Sequence, residues 1–393
     1  MDTTVIIGNG VAGTNAAATL RRNGYEGAIK LIGEEVALPY QRPPLSKAWL
    51  LGSDRPKPTP LRPLYFYEDN SIELMRARKV VKIDRNKRRI RFSDGKTTKF
   101  DNLILATGAS PRRLDLQGAN LKGIHYLRNL GDSAGLRLTL TSPDCHEVVI
   151  IGAGVIGLEV ASAAIDNGKS VTVVDVAARA MARVASPATT NFITQKLKDA
   201  GVQFLFNKNV DGFGADDHRV SSVNLGDGSR IKADLVLVGI GAIPNIELAK
   251  AAGLDCDNGI CVDQDMRTSD SGIFAIGDCA CSANAFASGK LRIETVHNAT
   301  TQAQIAAATI CNKERPAPVP PRFWSDLKDM KVQTIGIAAG YDLVRSDASQ
   351  QPPSLEVHLR RGDRLIAAEI VNLPTRQSAL TKAISPRVSA DIQ

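Results

Sequence analysis

The 393-residue sequence predicts an α/β protein of two doubly wound, parallel-sheet domains and a smaller α+β unit. Three observations predict it. From Thr4 to Glu34 an apolar run, a glycine-rich turn, a helix former, a second apolar run and an acid follow one another. The same pattern returns at Val148 and ends at Asp175. A proline-rich linker, Pro316 to Pro321, then sets apart the last ~70 residues.

In the first pattern Val5-Ile6-Ile7 reads as a buried strand, and Gly8-Asn9-Gly10-Val11-Ala12-Gly13 follows at once. Gly8 permits a tight turn, Gly10 lets backbone N–H groups approach a pyrophosphate, and Gly13 lets helix and strand pack closely. The helix continues through Ala16 to Arg21, and its N-terminus attracts phosphate charge. Ile29 to Ile32 is the second strand, and Glu34 beyond it can accept both hydroxyls of a ribose. Pro39 to Lys47 is a stiff extended loop in which Arg42 and Lys47 hold cations near the phosphate site. Ser46 is placed to cap a short helix running through Leu51. A surface loop with Pro56, Pro58, Pro60 and Pro63 leads to a strand at Ile72-Glu73-Leu74. Val80 to Ile83 and Arg89 to Phe92 alternate as a hairpin about Asn86-Lys87. Leu103 to Leu105 reads as a buried strand turning sharply at Ala106-Thr107-Gly108.

The second pattern is Val148 to Ile151, then Gly152-Ala153-Gly154-Val155-Ile156-Gly157, then a helix from Leu158-Glu159 and a strand Val171 to Val174. Two such patterns about 140 residues apart imply two dinucleotide sites. Asp175 accepts from a free ribose 2′-OH and repels a 2′-phosphate, which favours NADH over NADPH. Arg179 and Arg183 lie just beyond and leave a phosphate contact open. Leu235 to Asn245 is a further strand and turn. Asp278, after Gly277 at the end of another buried strand, is positioned to hydrogen-bond a polyhydroxyl chain. Ala299 to Ile310 reads as a helix, and Gln333 to Ile337 and Leu355 to Leu359 as strands of the terminal unit.

Composition fits a soluble globular chain, with 43% hydrophobic and 23% charged residues. No run of ~18 apolar residues exists to cross a membrane. The first strand begins within a few residues, leaving no room for a signal peptide, so the cytoplasm is the expected compartment. Six scattered cysteines and five histidines show no metal-ligand spacing, so no metal site is expected. Net charge is +8, and it is concentrated. Arg76 to Lys99 carries eleven basic against two acidic residues, which reads either as a solvated hairpin face or as a docking surface for an acidic partner. No recognition helix or stacking platform accompanies the run, so nucleic acid is a poor candidate.

Taken in order, Gly8 to Glu34, Arg42-Pro43-Pro44-Leu45-Ser46-Lys47, Ala106-Thr107-Gly108, Gly152 to Glu159, Gly277-Asp278-Cys279 and Phe323-Trp324-Ser325-Asp326 form a motif set that covers nearly the whole chain. The set resembles the NADH-dependent, FAD-containing ferredoxin reductases of bacterial oxygenase systems, including those of haem monooxygenases and Rieske-type aromatic-ring dioxygenases. The resemblance implies a glutathione-reductase-like fold. Its FAD domain is discontinuous (1–111 and 243–315), interrupted by an NAD domain (112–242) and followed by a C-terminal domain (316–393). It implies FAD contacts at Gly8, Gly10, Ala12, Gly13, Glu34, Arg42, Lys47, Val80, Ala106, Thr107, Gly108, Arg128, Asp278 and Val296, with Trp324 beside the isoalloxazine. A core tryptophan at a domain interface is the other reading of Trp324. It implies NAD contacts at Gly152, Gly154, Ile156, Gly157, Glu159, Asp175 and Gly241, and a Lys47–Glu159 pair near the flavin.

The implied reaction is hydride transfer from NADH to FAD, then single electrons to an acidic [2Fe–2S] ferredoxin, in a monomer or weak dimer. The chain departs from the motif at Leu327, where relatives continue with glutamine, and it stops shorter than they do. A disulfide or peroxide reductase, or an NADH oxidase, shares the architecture. The first two need a cysteine beside the flavin, and none lies between Glu34 and Val80. A non-catalytic NADH-binding module is the remaining rival, and it predicts a colourless protein.

Overall fold

The computed structural model describes residues 2–51 and 57–386, so Pro56 of the proline-rich loop lies outside the described residues. The first sheet is parallel. Its strand order is Ile273–Ala275, Asn102–Leu105, Thr3–Ile7, Ala28–Ile32, Ile72–Met75. The central strand is a continuous apolar run because both of its faces are covered, and Val5 and Ile6 are wholly buried. Helix Val11–Arg22 lies against helix Val296–Ile310, with Ala16, Ala17, Ala303 and Ala306 all fully buried. Methyl-sized side chains let the two backbones approach closely.

The chain leaves this domain and returns to it through two short antiparallel strands, Ala109–Pro111 and Ala242–Pro244. Asn245 pins the crossing. Its amide donates to the Thr107 carbonyl (2.8 Å), its carbonyl accepts from the Thr107 hydroxyl (2.7 Å), and its side-chain oxygen accepts from Ser110 (2.7 Å). Between the two strands lies a second parallel sheet, ordered Val202–Phe206, Ser170–Asp175, Glu147–Ile151, Leu235–Val238, Ile124–His125.

The terminal unit is a five-stranded antiparallel sheet, ordered Arg322–Leu327, Met330–Gly336, Arg364–Val371, Pro353–Arg361, Leu343–Gln350. One face takes helix Gln377–Ala383 through Ile335, Ala368, Ile370 and Leu380. The other presents Val332, Val357, Leu359 and Val371 to the core of the second domain. Burying each such side chain stabilises by about 1.5–3 kcal/mol, so the terminal unit is fastened to the second domain rather than tethered. Leu327 is fully buried in that joint core, where a glutamine would leave its amide without water.

Two expectations need correction. The single helix expected from Ser46 through Leu51 is instead two 3₁₀ turns, Pro43–Ser46 and Ala48–Leu50, separated by the non-helical backbone of Lys47 (φ −124°, ψ −108°). Ser46 caps nothing, because its hydroxyl donates to Glu159. A short helix, Leu64–Asp69, also starts directly after Pro63 where only loop was expected.

The basic run folds as a three-stranded meander, Val80–Asp84, Arg89–Phe92 and Thr97–Lys99. Ile83, Ile90 and Phe92 are its buried side. Part of its charge is structural: Arg78 pairs with Asp94 (2.5 Å), and Arg85 and Arg88 both pair with Asp270 (3.0 and 3.1 Å). No helix among the described residues is long and apolar enough to cross a membrane.

Candidate active site

A continuous cleft of about 2270 Å³ runs between the two parallel sheets and reaches the terminal unit. It exceeds the roughly 300–1000 Å³ of pockets that take one small ligand. Two 12-residue helices, Val11–Arg22 and Val155–Asp166, aim their N-termini into it. Each is preceded by a glycine, Gly10 or Gly154, with no side-chain cap and no acid in the first turn. Their leading N–H groups therefore stay available to an anion. Gly8 turns at φ +109°, and a Cβ there would lie 2.0 Å from the Ala106 carbonyl oxygen. Gly152 repeats this at φ +105°, 2.4 Å from the Gly239 oxygen. Two such cradles in one cleft fit two pyrophosphates.

Of the residues expected to touch FAD or NAD, all but two line the cleft, including Ala12, Val80, Ala106, Thr107, Gly108, Val296, Ile156 and Gly241. Gly13 and Gly157 lie beneath it. A Cβ on either would sit 1.9 or 2.1 Å from the carbonyl oxygen of Gly8 or Gly152, so both serve close packing rather than contact.

The ribose acids are not equivalent, as the pattern alone implied. Gly8 donates to Ile32 O and Gly152 to Val174 O (2.8 Å each), which aligns Asp175 with Gly33, one residue before Glu34. The Asp175 carboxylate accepts from the N–H groups of Ala153 (2.6 Å) and Ala177 (2.7 Å). In the first repeat the Asn9 side chain fills that space, 2.1 Å from where a Gly33 Cβ would be. Glu34 is thereby left exposed at the cleft edge, near Lys79 (3.8 Å). Arg179 and Arg183 both line the cleft. The Arg179 guanidinium also donates to the carbonyls of Ala185 (2.9 Å) and Ala182 (3.0 Å), and Arg183 stands beside Gly241.

A polar chain crosses the half of the cleft beside the first sheet. Glu35 accepts from Tyr40 (2.6 Å) and pairs with Arg42 (2.8 Å); Arg42 also donates to the Arg128 carbonyl (2.6 Å). Arg128 in turn pairs with Asp278 (2.8 Å). Burial pushes the Tyr40 hydroxyl up to about 12, so it remains a donor to Glu35 while accepting from the Leu130 N–H (3.0 Å). Glu35 was not distinguishable from its neighbour Glu34 in sequence.

At the far end Lys47 and Glu159 meet at 2.6 Å, with the Glu159 side chain only 3% exposed. The same carboxylate accepts from Ser325 (2.6 Å) and from Ser46. Three parts of the fold thus converge on one buried charge: the first domain through Ser46 and Lys47, the second through Glu159, the terminal unit through Ser325. Neither serine has a sequence signal for this beyond standing beside Lys47 and Trp324. Trp324 itself is 43% exposed and lines the cleft, so it is not a core tryptophan. Among the described residues no cysteine lines the cleft, and burial pushes the thiol of Cys279 up.

A family model described as pyridine nucleotide-disulphide oxidoreductase matches residues 2–303, and one described as reductase C-terminal matches residues 322–393. A rubredoxin–NAD(+) reductase of Pseudomonas putida is 47% identical, across 97% of this chain and 98% of its own. The ferredoxin–NAD(+) reductase component of a biphenyl dioxygenase system in Paraburkholderia xenovorans is 36% identical, across 100% of this chain and 95% of its own. A crystal structure of a covalent putidaredoxin reductase–putidaredoxin complex is similar at a TM-score of 0.92 and 38% identity, covering 97% of this chain and 93% of that one.

Proposed function

The chain belongs to the pyridine nucleotide-disulphide oxidoreductase family, and from that premise we propose that it is an NADH-dependent, FAD-containing reductase of a small iron–sulfur carrier that serves an oxygenase. The observation that carries the reading is the pair of uncapped, glycine-led helix N-termini facing one cleft that no cysteine among the described residues lines. Bound there, FAD would supply the conversion of a two-electron hydride from NADH into two single electrons, the hydride's proton passing to solvent.

The chain's own residues supply binding and electrostatics. Residues 1–111 and 243–315 hold the FAD, residues 112–242 the NADH, and 316–393 close the cleft. The first helix terminus and Arg42 take the FAD pyrophosphate, Glu34 its ribose, and Asp278, braced by Arg128, its polyhydroxyl chain. Asp175 takes the NADH ribose; its two oxygens are already oriented by backbone N–H groups, and its charge rejects a 2′-phosphate. Lys47 holds a fixed positive charge beside the reacting rings, kept in place by Glu159. Trp324 excludes water at the mouth of the cleft.

The test is anaerobic NADH oxidation with a purified [2Fe–2S] ferredoxin, with a rubredoxin, and with NADPH in place of NADH. Rapid NADH-driven reduction of a carrier, with NADPH poor, is expected. The 47% identity to a rubredoxin reductase favours rubredoxin as a second acceptor. Flavin reduction with no transfer to either carrier would turn the reading to an NADH oxidase.

The carrier is an acidic protein steered by the meander's outer face. There Lys82 stands opposite Arg91, and Arg89 stands between Asp84 on one side and Lys99 on the other. Like charges directly opposite one another destabilise a sheet, so the Lys82–Arg91 and Arg89–Lys99 pairs do not serve the fold. Arg88 is not part of it, because it pairs with Asp270 and lies over the Phe100 ring at 4.7 Å. Reversing Lys82, Arg89 and Arg91 to glutamate is expected to slow carrier reduction about 10-fold at low salt, with the gap closing at high salt and NADH-driven flavin reduction unchanged. An unaltered salt dependence would put docking elsewhere.

A further inference from the structure

The apolar sheet face that the terminal unit presents to the second domain contains one carboxylate. Glu369 stands on it between Ala367 and Val371, is 1% exposed, and has no cation within salt-bridge distance among the described residues. Burying a charge in such a face is costly unless hydrogen bonds compensate. Both compensating bonds come from a single residue: Glu369 accepts from the Ser186 N–H (2.8 Å) and from the Ser186 hydroxyl (2.5 Å). Ser186 is the N-cap of the 13-residue helix Pro187–Asp199, so the carboxylate also sits at the positive end of that helix.

Ser186 ends the segment 176–186, most of which lines the nucleotide cleft beside Asp175. The segment has little regular structure of its own and is held at a few points. Met181 donates from its N–H to the Ala153 carbonyl (2.9 Å), and Arg179 ties the carbonyls of Ala182 and Ala185 together. Among the described residues the far end has one polar anchor outside the second domain, and that anchor is Glu369. Arg183, which borders the cleft at Gly241, lies between these two fixed points.

We infer that Glu369 is a positioning residue for the nicotinamide nucleotide: acting through Ser186, the terminal unit fixes the segment that walls the NADH site. This rests on the reductase reading above. Glu369 touches neither cofactor, so the consequence of losing it falls on NADH affinity rather than on the rate once NADH is bound. The terminal unit would then be a part of the NADH site as well as a wall on the acceptor side.

The experiment titrates oxidised, FAD-loaded enzyme with NAD⁺ and measures steady-state KM and kcat for NADH. It compares the wild type with Glu369→Ala, Glu369→Gln and Ser186→Ala. In Glu369→Ala, the Kd for NAD⁺ and the KM for NADH are expected to rise about 5–10-fold, with kcat at saturating NADH and bound FAD within two-fold of wild type. Ser186→Ala keeps the backbone N–H bond and is expected to show a smaller rise of the same kind. Glu369→Gln keeps a carbonyl acceptor for the Ser186 N–H and is expected to recover most of the affinity. It also serves as the readable variant if the alanine form does not fold. Equal affinity in all four proteins, or a fall in kcat without a change in KM, would overturn the inference while leaving the reductase reading intact. A wild type that binds no NAD⁺ would overturn both.

Discussion

Glu159→Ala is expected to slow NADH-driven flavin reduction by about 10²-fold, the scale of loss when a group at the reacting centre is displaced by about an ångström. Lys47 would keep only a long contact to the Pro43 carbonyl (3.4 Å), while its ammonium stayed largely buried. Breaking a buried pair from one side costs about 3–5 kcal/mol, so the variant should also unfold at lower temperature. Lys47→Ala leaves Glu159 with donors from Ser46 and Ser325 and should therefore lose the rate with less loss of stability. The double alanine variant should regain stability relative to Glu159→Ala and remain slow. Stopped-flow reduction and thermal unfolding of the three proteins separate the two effects. A rate within two-fold of wild type in Glu159→Ala would make the pair purely structural.

The second large effect is a contrast between the two glycine cradles. At Gly8 a methyl group would meet the Ala106 carbonyl oxygen at 2.0 Å and its carbon at 2.6 Å, both backbone, in a left-handed conformation. The backbone strain alone is about 1–3 kcal/mol before any clash. Gly8→Ala should therefore purify without flavin. Gly152→Ala meets an equivalent obstruction at Gly239, but in the other nucleotide site. It should stay yellow, be bleached by dithionite, and resist NADH. Absorbance spectra before and after each reductant read the outcome. A Gly8→Ala protein that is yellow and reduced by NADH would remove the assignment of the first cradle to FAD.

The architecture was legible in the sequence because both parallel sheets place near-continuous Val/Ile/Leu runs directly before their glycine turns. Val5-Ile6-Ile7 and Val148 to Ile151 lie at the centres of the two sheets. The same local pattern located the cradles. What it could not carry was anything joining residues far apart in the chain. Ser46 looked like a cap because serine before a helix usually is one, and only the fold brings Glu159 within its reach. The one-residue offset between Glu34 and Asp175 was not legible, because it goes with an Asn9 side chain filling a space no motif describes. Nothing in the sequence reveals that Arg179 also binds carbonyls a few residues on.

The meeting of Ser46, Lys47, Glu159 and Ser325 also sets an order of events on the ribosome. At about 5–20 residues per second, the interval between synthesis of Lys47 and of Ser325 is roughly a quarter of a minute to a minute. The first sheet is likewise short of one edge until Ile273–Ala275 emerges. From its own synthesis until that of Ser325, roughly 8 to 33 seconds at the same rate, the Glu159 carboxylate lacks its third donor and the cover of the terminal strand. Closure of the site is thus among the last steps of making the protein, and a nascent chain cut short before Ser325 would carry both nucleotide cradles without a finished reaction centre.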